Sequence, residues 1–180
     1  HKSIETNKRL QNQLSINEVI KQIQLICSDS SILKIGQNLK YDIRILKKYD
    51  VKFNSIDDTM LLSYALDNGL TRHGMDELAY RHLNHTTIKY KDLVGSGKKQ
   101  ITFDYVQIDE ATKYAAEDAL ITLKLYNQLK PRLINEKVLS IYEKIDRPLI
   151  NVLSSMEELG IKVNKHYLKK LSDKFTKEAS

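Results

Sequence analysis

One stretch of helix organises the whole chain. From Asp109 onward, Ala111, Ala115, Ala119, Leu125 and Tyr126 gather on one arc at about 100° per residue, with Lys113, Glu117 and Lys124 opposite. A helix with such a stripe has to bury it against other elements. The pattern predicts an end near Leu129, because Pro131 has no N–H to continue the ladder and crowds the preceding turn.

The rest of the chain alternates short strands with helices. Residues 1–15 are polar and unpatterned and read as an extended arm. Ser15 with Glu18 three residues later has the form of a capping box, ahead of an apolar face of Val19, Ile20, Ile23, Ile26 and Cys27. A short strand is expected at Ile32–Ile35, turned by Gly36, then a helix that Asn38 can cap and that runs to about Tyr49. A brief strand near Phe53–Ile56 follows. Asp57 or Asp58 can cap a third helix, with Met60, Leu61, Tyr64 and Ala65 facing inward. Asn68–Gly74 reads as a loop, Met75–Leu83 as a helix and Asn84–Gln100 as an exposed loop. A further helix from about Glu136 contains Pro148, which is predicted to kink or split it. Gly160 closes it, Ile161–Val163 is extended, and Asn164 can cap a last helix. The fold class is α/β with helix dominant.

With 180 residues, 41% hydrophobic and 29% charged, the chain is globular and holds one domain, or one domain and the start of a second. Lys+Arg 29 against Asp+Glu 23 leaves +6, a surplus compatible with a nucleic-acid partner without establishing one. Cys27 is the lone cysteine, so no internal disulfide forms; among Ile20, Ile23 and Ile26 it reads as a small core hydrophobe. No apolar run approaches the ~20 residues of a membrane span, and no secretory pattern opens the chain. These features describe a soluble, reduced, intracellular type of protein with no membrane partner. There is no initiator Met and the last residues stop within a helical pattern, so the sequence is read as a fragment of a longer protein.

Two aspartates stand where hydrophobes are expected. In the helix from Lys40, Tyr41, Ile45, Leu46 and Tyr49 share an arc, with Lys40, Arg44, Lys47 and Lys48 opposite, and Asp42 falls on the apolar side. In the long helix, Asp118 falls in the apolar arc, one turn from Tyr114. An ionised carboxylate in such a place is costly unless it is paired or holds a metal. Each aspartate therefore sits at a solvated edge, pairs with a lysine, or ligates a metal together with the other. Tyr114 is either a core tyrosine or a phenol beside a metal-bound carboxylate.

GQNLKYD (Gly36–Asp42) together with YAAEDA (Tyr114–Ala119) resembles the proofreading 3′–5′ exonuclease domain of the bacterial DNA polymerase I family, the family A polymerases. DDTMLLSYALD, RHGMDELAYRHLNHTTIKYKD and GSGKKQITF lie between them in the family's order. IDRPLINVLSSMEELGIKVN (Ile145–Asn164) resembles the junction into the polymerase domain.

The resemblance implies a ribonuclease-H-like fold lacking its first strands, followed by the first polymerase helices. It divides the chain into a partial exonuclease domain at 1–135 and the junction with polymerase helices at 136–180. It implies a two-ion site for Mg²⁺ or Mn²⁺ built from four acidic residues and a tyrosine. Asp42 matches one acidic position, with Tyr114 and Asp118 matching the motif that follows. Gln37 and Asn38 match positions near the metals, and Arg72 and Tyr90 match positions on the single-stranded DNA path. The family's Asp-x-Glu motif is absent, and Ile4-Glu5-Thr6 lacks its aspartate. The chain alone is therefore expected to be inactive or nearly so, although its parent would be a DNA polymerase that trims single-stranded 3′ ends in the bacterial cytoplasm, at the nucleoid. Its partners would be a DNA 3′ end and the remainder of the polymerase chain. The polymerase site itself is not expected here.

Two other readings compete: a catalytically dead module that braces the polymerase and guides DNA, and an RNA-trimming nuclease of the ribonuclease D type. Lys89, Lys91, Lys98 and Lys99 are either solvated or meet phosphate. His73, His82 and His85 lack zinc spacing and read as surface or core histidines. An open sheet edge beside Ile32–Ile35 is expected to invite pairing with another chain.

Overall fold

The computed structural model describes every residue except Asn12, Asn68 and Ser180. Its elements are α1 (Ile16–Ser28), β1 (Lys34–Gly36), α2 (Leu39–Lys47), β2 (Ile56–Asp58), α3 (Thr59–Asp67), α4 (Met75–Leu83), α5 (Tyr90–Val94), α6 (Ile108–Asn135), α7 (Leu139–Ile141), a π-helical turn (Tyr142–Asp146), α8 (Arg147–Leu159) and α9 (Lys165–Ala179). The fold is helix-rich with a small sheet: β1 and β2 pair in parallel, Lys34 opposite Ile56 and Gly36 opposite Asp58, with α2 as the crossover. The second strand starts three residues and ends two residues later than the sequence suggests, and the loop expected at Asn68–Gly74 begins on a residue outside those described.

The main core joins α3, α4 and α6 through Leu62, Leu78, Ala79, Ile121, Leu125, Leu129 and Leu133, with Tyr142 from the π turn. Each fully buried leucine contributes about 1.5–3 kcal/mol. That burial explains why α6 runs through Pro131 to Asn135: Leu133 is fully buried one turn beyond Leu129, and its packing outweighs the lost hydrogen bond. Of the residues of α3 expected inward, Leu61 and Ala65 pack on the core beside the buried Thr59, Leu62 and Ser63, while Tyr64 is exposed. A second cluster joins Leu39, Ile56 and Ile150, so α8 packs on α2 and β2.

The helical wheel of α2 assigned its arc to the wrong side, while that of α6 placed Ala111, Leu125 and Tyr126 correctly against the core. The basic face of α2 turns toward α8, where Lys40 and Arg44 pair with Glu157 and Lys47 pairs with Glu158. Leu39 and Ile43 are its core contacts, and Tyr41, Ile45 and Tyr49 are exposed. In α6, Ala115 and Ala119 are likewise exposed; Ala111, Ile121, Thr122 and Leu125 form the buried side. In α1, Cys27 is buried as expected, but Ile26 is exposed.

Local expectations divide similarly. The Ser15–Glu18 capping box forms, Gly160 ends α8 at φ 68°, and Asn164 Oδ1 accepts from Tyr167 N at 3.0 Å. Pro148 sits in the first turn of α8, just after the π turn that separates it from α7. The N-terminal arm is a hairpin instead: Lys2 bridges Arg9, and Lys2 N donates to Asp104 O at 2.6 Å. The expected loop at Asn84–Gln100 contains α5, anchored by buried Val94.

Beneath the sheet, Asp57 is 1% exposed and meets Lys130 Nζ at 3.0 Å, Arg147 at 3.4 Å and the Tyr142 hydroxyl at 2.8 Å. Glu143 closes the network, accepting from Lys130 at 2.8 Å and pairing with Arg147. Residues from β2, α6, the π turn and α8 thus share one buried charge cluster.

Candidate active site

Asp42 sits near the start of α2, whose entry is tightly built. A Cβ on Gly36 would come within 2.6 Å of Leu39 Cδ1, so glycine lets the chain fold back from strand to helix. Asn38 adopts a left-handed conformation (φ 58°), which asparagine tolerates, and its side chain caps nothing. The cap comes from Asp58 at the end of β2: Oδ1 accepts from Asn38 N at 3.1 Å and Oδ2 from Leu39 N at 2.7 Å. Oδ1 also accepts from Met60 N at 2.9 Å, so one carboxylate holds the starts of α2 and α3.

Asp42 and Asp118 face a single open cleft of about 540 Å³, lined also by Leu33, Ile35, Gly36 and Gln37. Leu33, just before β1, and Ile35 within it form one wall, on a strand whose other edge is unpaired among the described residues. Met75, Ala119, Thr122 and Leu123 supply the opposite side. Of the exposed arc residues only Ala119 lines this cleft; Tyr41 and Ile45 face a separate groove with Glu158.

Asp42 is exposed as a residue, yet surrounding protein raises its carboxyl pKa, opposed by its own backbone hydrogen bond and assisted by the negative charge of Asp58. Burial also raises Asp118, against a hydrogen bond from Tyr114 and with the charges of Glu117 and Asp76 adding to the rise. The Tyr114 hydroxyl is pushed up to about 12 by burial, the Asp118 charge and that hydrogen bond, so it stays a phenol across the neutral range. With its proton committed to Asp118, its oxygen remains free to accept a hydrogen bond from water.

The other expected site residues scatter around this cleft. Gln37 lines it, but its amide donates to His73 O at 2.9 Å and accepts from Thr59 Oγ1. Asn38 opens onto a neighbouring groove of about 350 Å³ with Lys40, Tyr64 and Asp146. Arg72 is exposed in the turn before α4 and lies outside the cleft lining. Tyr90 starts α5 and meets the Tyr114 ring edge-on at 6.3 Å. His73 bonds Ser63 Oγ at 2.9 Å and His85 bonds Glu117 at 2.8 Å, each half-buried.

Sequence reasoning missed the supports. Glu117, assigned to the solvated face, accepts from His85 Nε2 and from Ile88 N at 2.7 Å, tying the segment before Tyr90 to α6. Thr87 donates to Asp76 at 2.6 Å. Phe103 stacks on Tyr90, a contact that no local pattern could signal. Carboxylate oxygens suit Mg²⁺ or Mn²⁺ in kind. In number they fall short: no group of three or more His, Cys, Asp or Glu able to hold an ion comes together among the described residues.

Residues 3–134 match the family model described as 3′–5′ exonuclease of the family A DNA polymerases. The chain is 48% identical over 169 residues to DNA polymerase I of Rhizobium leguminosarum, covering 94% of this chain and 17% of that protein. It is 39% identical over 160 residues to DNA polymerase I of Pseudomonas aeruginosa, covering 87% and 18%. The chain thus spans less than a fifth of these relatives. Among solved structures, the polymerase domain of Pol1 from M. smegmatis, in complex with DNA primer-template and dNTP, aligns with a TM-score of 0.69 at 20% identity over 93% of this chain and 26% of that one. No helix among the described residues is long and apolar enough to cross a membrane.

Proposed function

Because the chain belongs to the 3′–5′ exonuclease family of DNA polymerase A, we propose that its cleft removes nucleotides from single-stranded 3′ ends of DNA, as the proofreading part of a larger DNA polymerase I. The observation that carries this reading is the convergence of Asp42 and Asp118, from separate helices, on one cleft, with Tyr114 hydrogen-bonded to Asp118. The ribonuclease-H-like architecture, the division at residue 135 and the polymerase character of α8 and α9 belong to the same proposal.

Asp42 and Asp118 are this chain's contribution to a site for Mg²⁺ or Mn²⁺, which when bound supplies Lewis acidity at the scissile phosphodiester. Tyr114 donates to Asp118 and accepts from a water, orienting it toward the phosphorus while Asp118 keeps the phenol in place. Tyr90 offers a stacking surface to a base near the 3′ end, Arg72 is this chain's charge for the single-stranded path that the resemblance implies, and Asn38 belongs to the surroundings of the metals. Gln37 acts through the wall it braces rather than through a free amide.

With two carboxylates where the resemblance implies four, the 180-residue chain alone should cleave feebly. The test is release of mononucleotides from single-stranded DNA with Mg²⁺, by this chain and by a longer one that supplies an Asp-x-Glu motif. The expected result is activity in the longer chain that Asp42→Ala or Asp118→Ala reduces at least a hundredfold, in the range of lost charge stabilisation. Cleavage that survives Asp42→Ala overturns the site, and activity on RNA but not DNA 3′ ends overturns the substrate. An intact longer chain without activity leaves the domain as a brace for DNA.

A further inference from the structure

The Phe103 ring touches the aromatic groups that lead to the acid pair, yet it stays out of the cleft lining. Its plane lies 19° from that of Tyr90, with centroids 5.8 Å apart, and it is tilted against Tyr114 at 6.0 Å. It also meets the His1 ring at 5.9 Å. Phe103 packs on a small cluster of Val94, Val106 and Ala111, one residue from each of three consecutive parts of the chain. The 3₁₀ turn that carries it (Phe103–Tyr105) is pinned from outside: Lys2 pairs with Asp104 at 2.9 Å, and His1 Nδ1 bonds Val106 O at 3.0 Å.

Tyr90, by contrast, starts a five-residue helix and leaves 48% of its surface exposed. A half-exposed tyrosine at the end of so short an element has little of its own to fix its ring. Phe103 provides that constraint, and Glu117 fixes the backbone just before Tyr90 by accepting from Ile88 N. A stacking surface held in one orientation binds with less ordering cost than a mobile one.

We propose that Phe103 is a positioning residue, setting the ring plane of Tyr90 so that a base of a single-stranded DNA 3′ end stacks on the exposed surface of Tyr90. The inference deepens the nuclease reading and rests on it. Phe103 needs no contact with DNA; its effect passes through Tyr90.

The test uses the 180-residue chain in EDTA, so that no cleavage intervenes. The probe is a thymidine-rich single strand with 2-aminopurine as its 3′-terminal base. Affinity is read by anisotropy and stacking by quenching of the 2-aminopurine. Phe103→Leu keeps an apolar side chain without the flat face, and should weaken binding about fivefold or more while relieving the quench in the saturated complex. Phe103→Tyr keeps the face and should behave as wild type. Tyr90→Leu should lose affinity and quench alike, and adding Phe103→Leu to it should cost nothing further.

A Phe103→Leu protein that is less heat-stable but binds and quenches normally when folded overturns the proposal, because Phe103 is then only core. Additive losses in the double variant also overturn it, since Phe103 would then touch DNA on its own. If Tyr90→Leu changes nothing while the wild-type chain binds, stacking at Tyr90 is wrong although the cleft reading survives. If the wild-type chain binds no single strand, the nuclease reading fails first. Should Phe103→Leu not fold, Phe103→Met serves with the same readouts.

Discussion

Replacing Asp58 with alanine tests whether one carboxylate holds the acid-bearing helix in place. Asp58 is 2% exposed and accepts from three amides: Asn38 N and Leu39 N at the start of α2, and Met60 N at the start of α3. A buried amide left without its acceptor costs about 1–3 kcal/mol. The three are not equally placed: Leu39 is buried, whereas Asn38 is exposed and water can replace its partner. Burial raises the pKa of Asp58 despite these hydrogen bonds, so holding the charge also has a cost that alanine removes. The net loss should be about 3 kcal/mol, near that of two helix caps together. For a chain of this size that is roughly 6–12 °C in Tm. Urea unfolding followed at 222 nm measures it, with Asp58→Asn expected to fall between alanine and wild type because one oxygen still accepts. A change under about 0.5 kcal/mol would refute the argument, placing Asp58 among ordinary surface positions. In the longer, active chain the same substitution should also lower nuclease activity, since Asp42 lies one turn into the helix that loses its cap.

Two further outcomes are expected. Burial, with the charges of Arg81 and Arg132, holds His82 below its ordinary pKa of 6.5 against the pull of Asp67, and its buried Nε2 has no hydrogen-bond partner among the described residues. Below that pH the unfolded chain takes up a proton that the folded chain refuses, so stability falls as pH drops below 6.5, and His82→Gln should flatten that slope in urea titrations; equal slopes would contradict it. Pro131→Ala should stabilise the chain by about 2 kcal/mol, because the missing hydrogen bond and the ring clash of a helix-interior proline together cost about 3 kcal/mol, less the freedom the unfolded chain regains. A lower Tm in that variant would show that α6 depends on the proline.

Much of the local structure was legible because its causes are local. The Met75–Leu83 helix, the Ser15 capping box and the Asn164 cap need only neighbours within four residues. What failed depended on distant partners. The wheel on α2 grouped Tyr41 with Ile45 correctly but could not foresee that Glu157 and Glu158 would draw the lysine face inward. Asn38 looked like a cap because its type and position fit, whereas the acceptor came from a strand twenty residues away. Leu133 carried α6 past a proline whose local effect is to stop a helix. In the site, Asp42, Tyr114 and Asp118 stood out in the sequence as polar groups on apolar arcs. Phe103, Glu117 and Asp76 did not, because their roles exist only once loops and helices meet.

The charge cluster around Asp57 sets a rule for anyone grafting this domain onto another scaffold. A cut at residue 135 would keep Asp57 and Lys130 but discard Glu143, Arg147 and the Tyr142 hydroxyl. It would leave Asp57 paired with Lys130 but without the Arg147 charge and the Tyr142 hydroxyl, and each hydrogen bond taken from a buried carboxylate costs about 1–3 kcal/mol. A chimera joined beyond Leu159 keeps the cluster whole, so the workable seam lies a full helix downstream of the one suggested by motif boundaries.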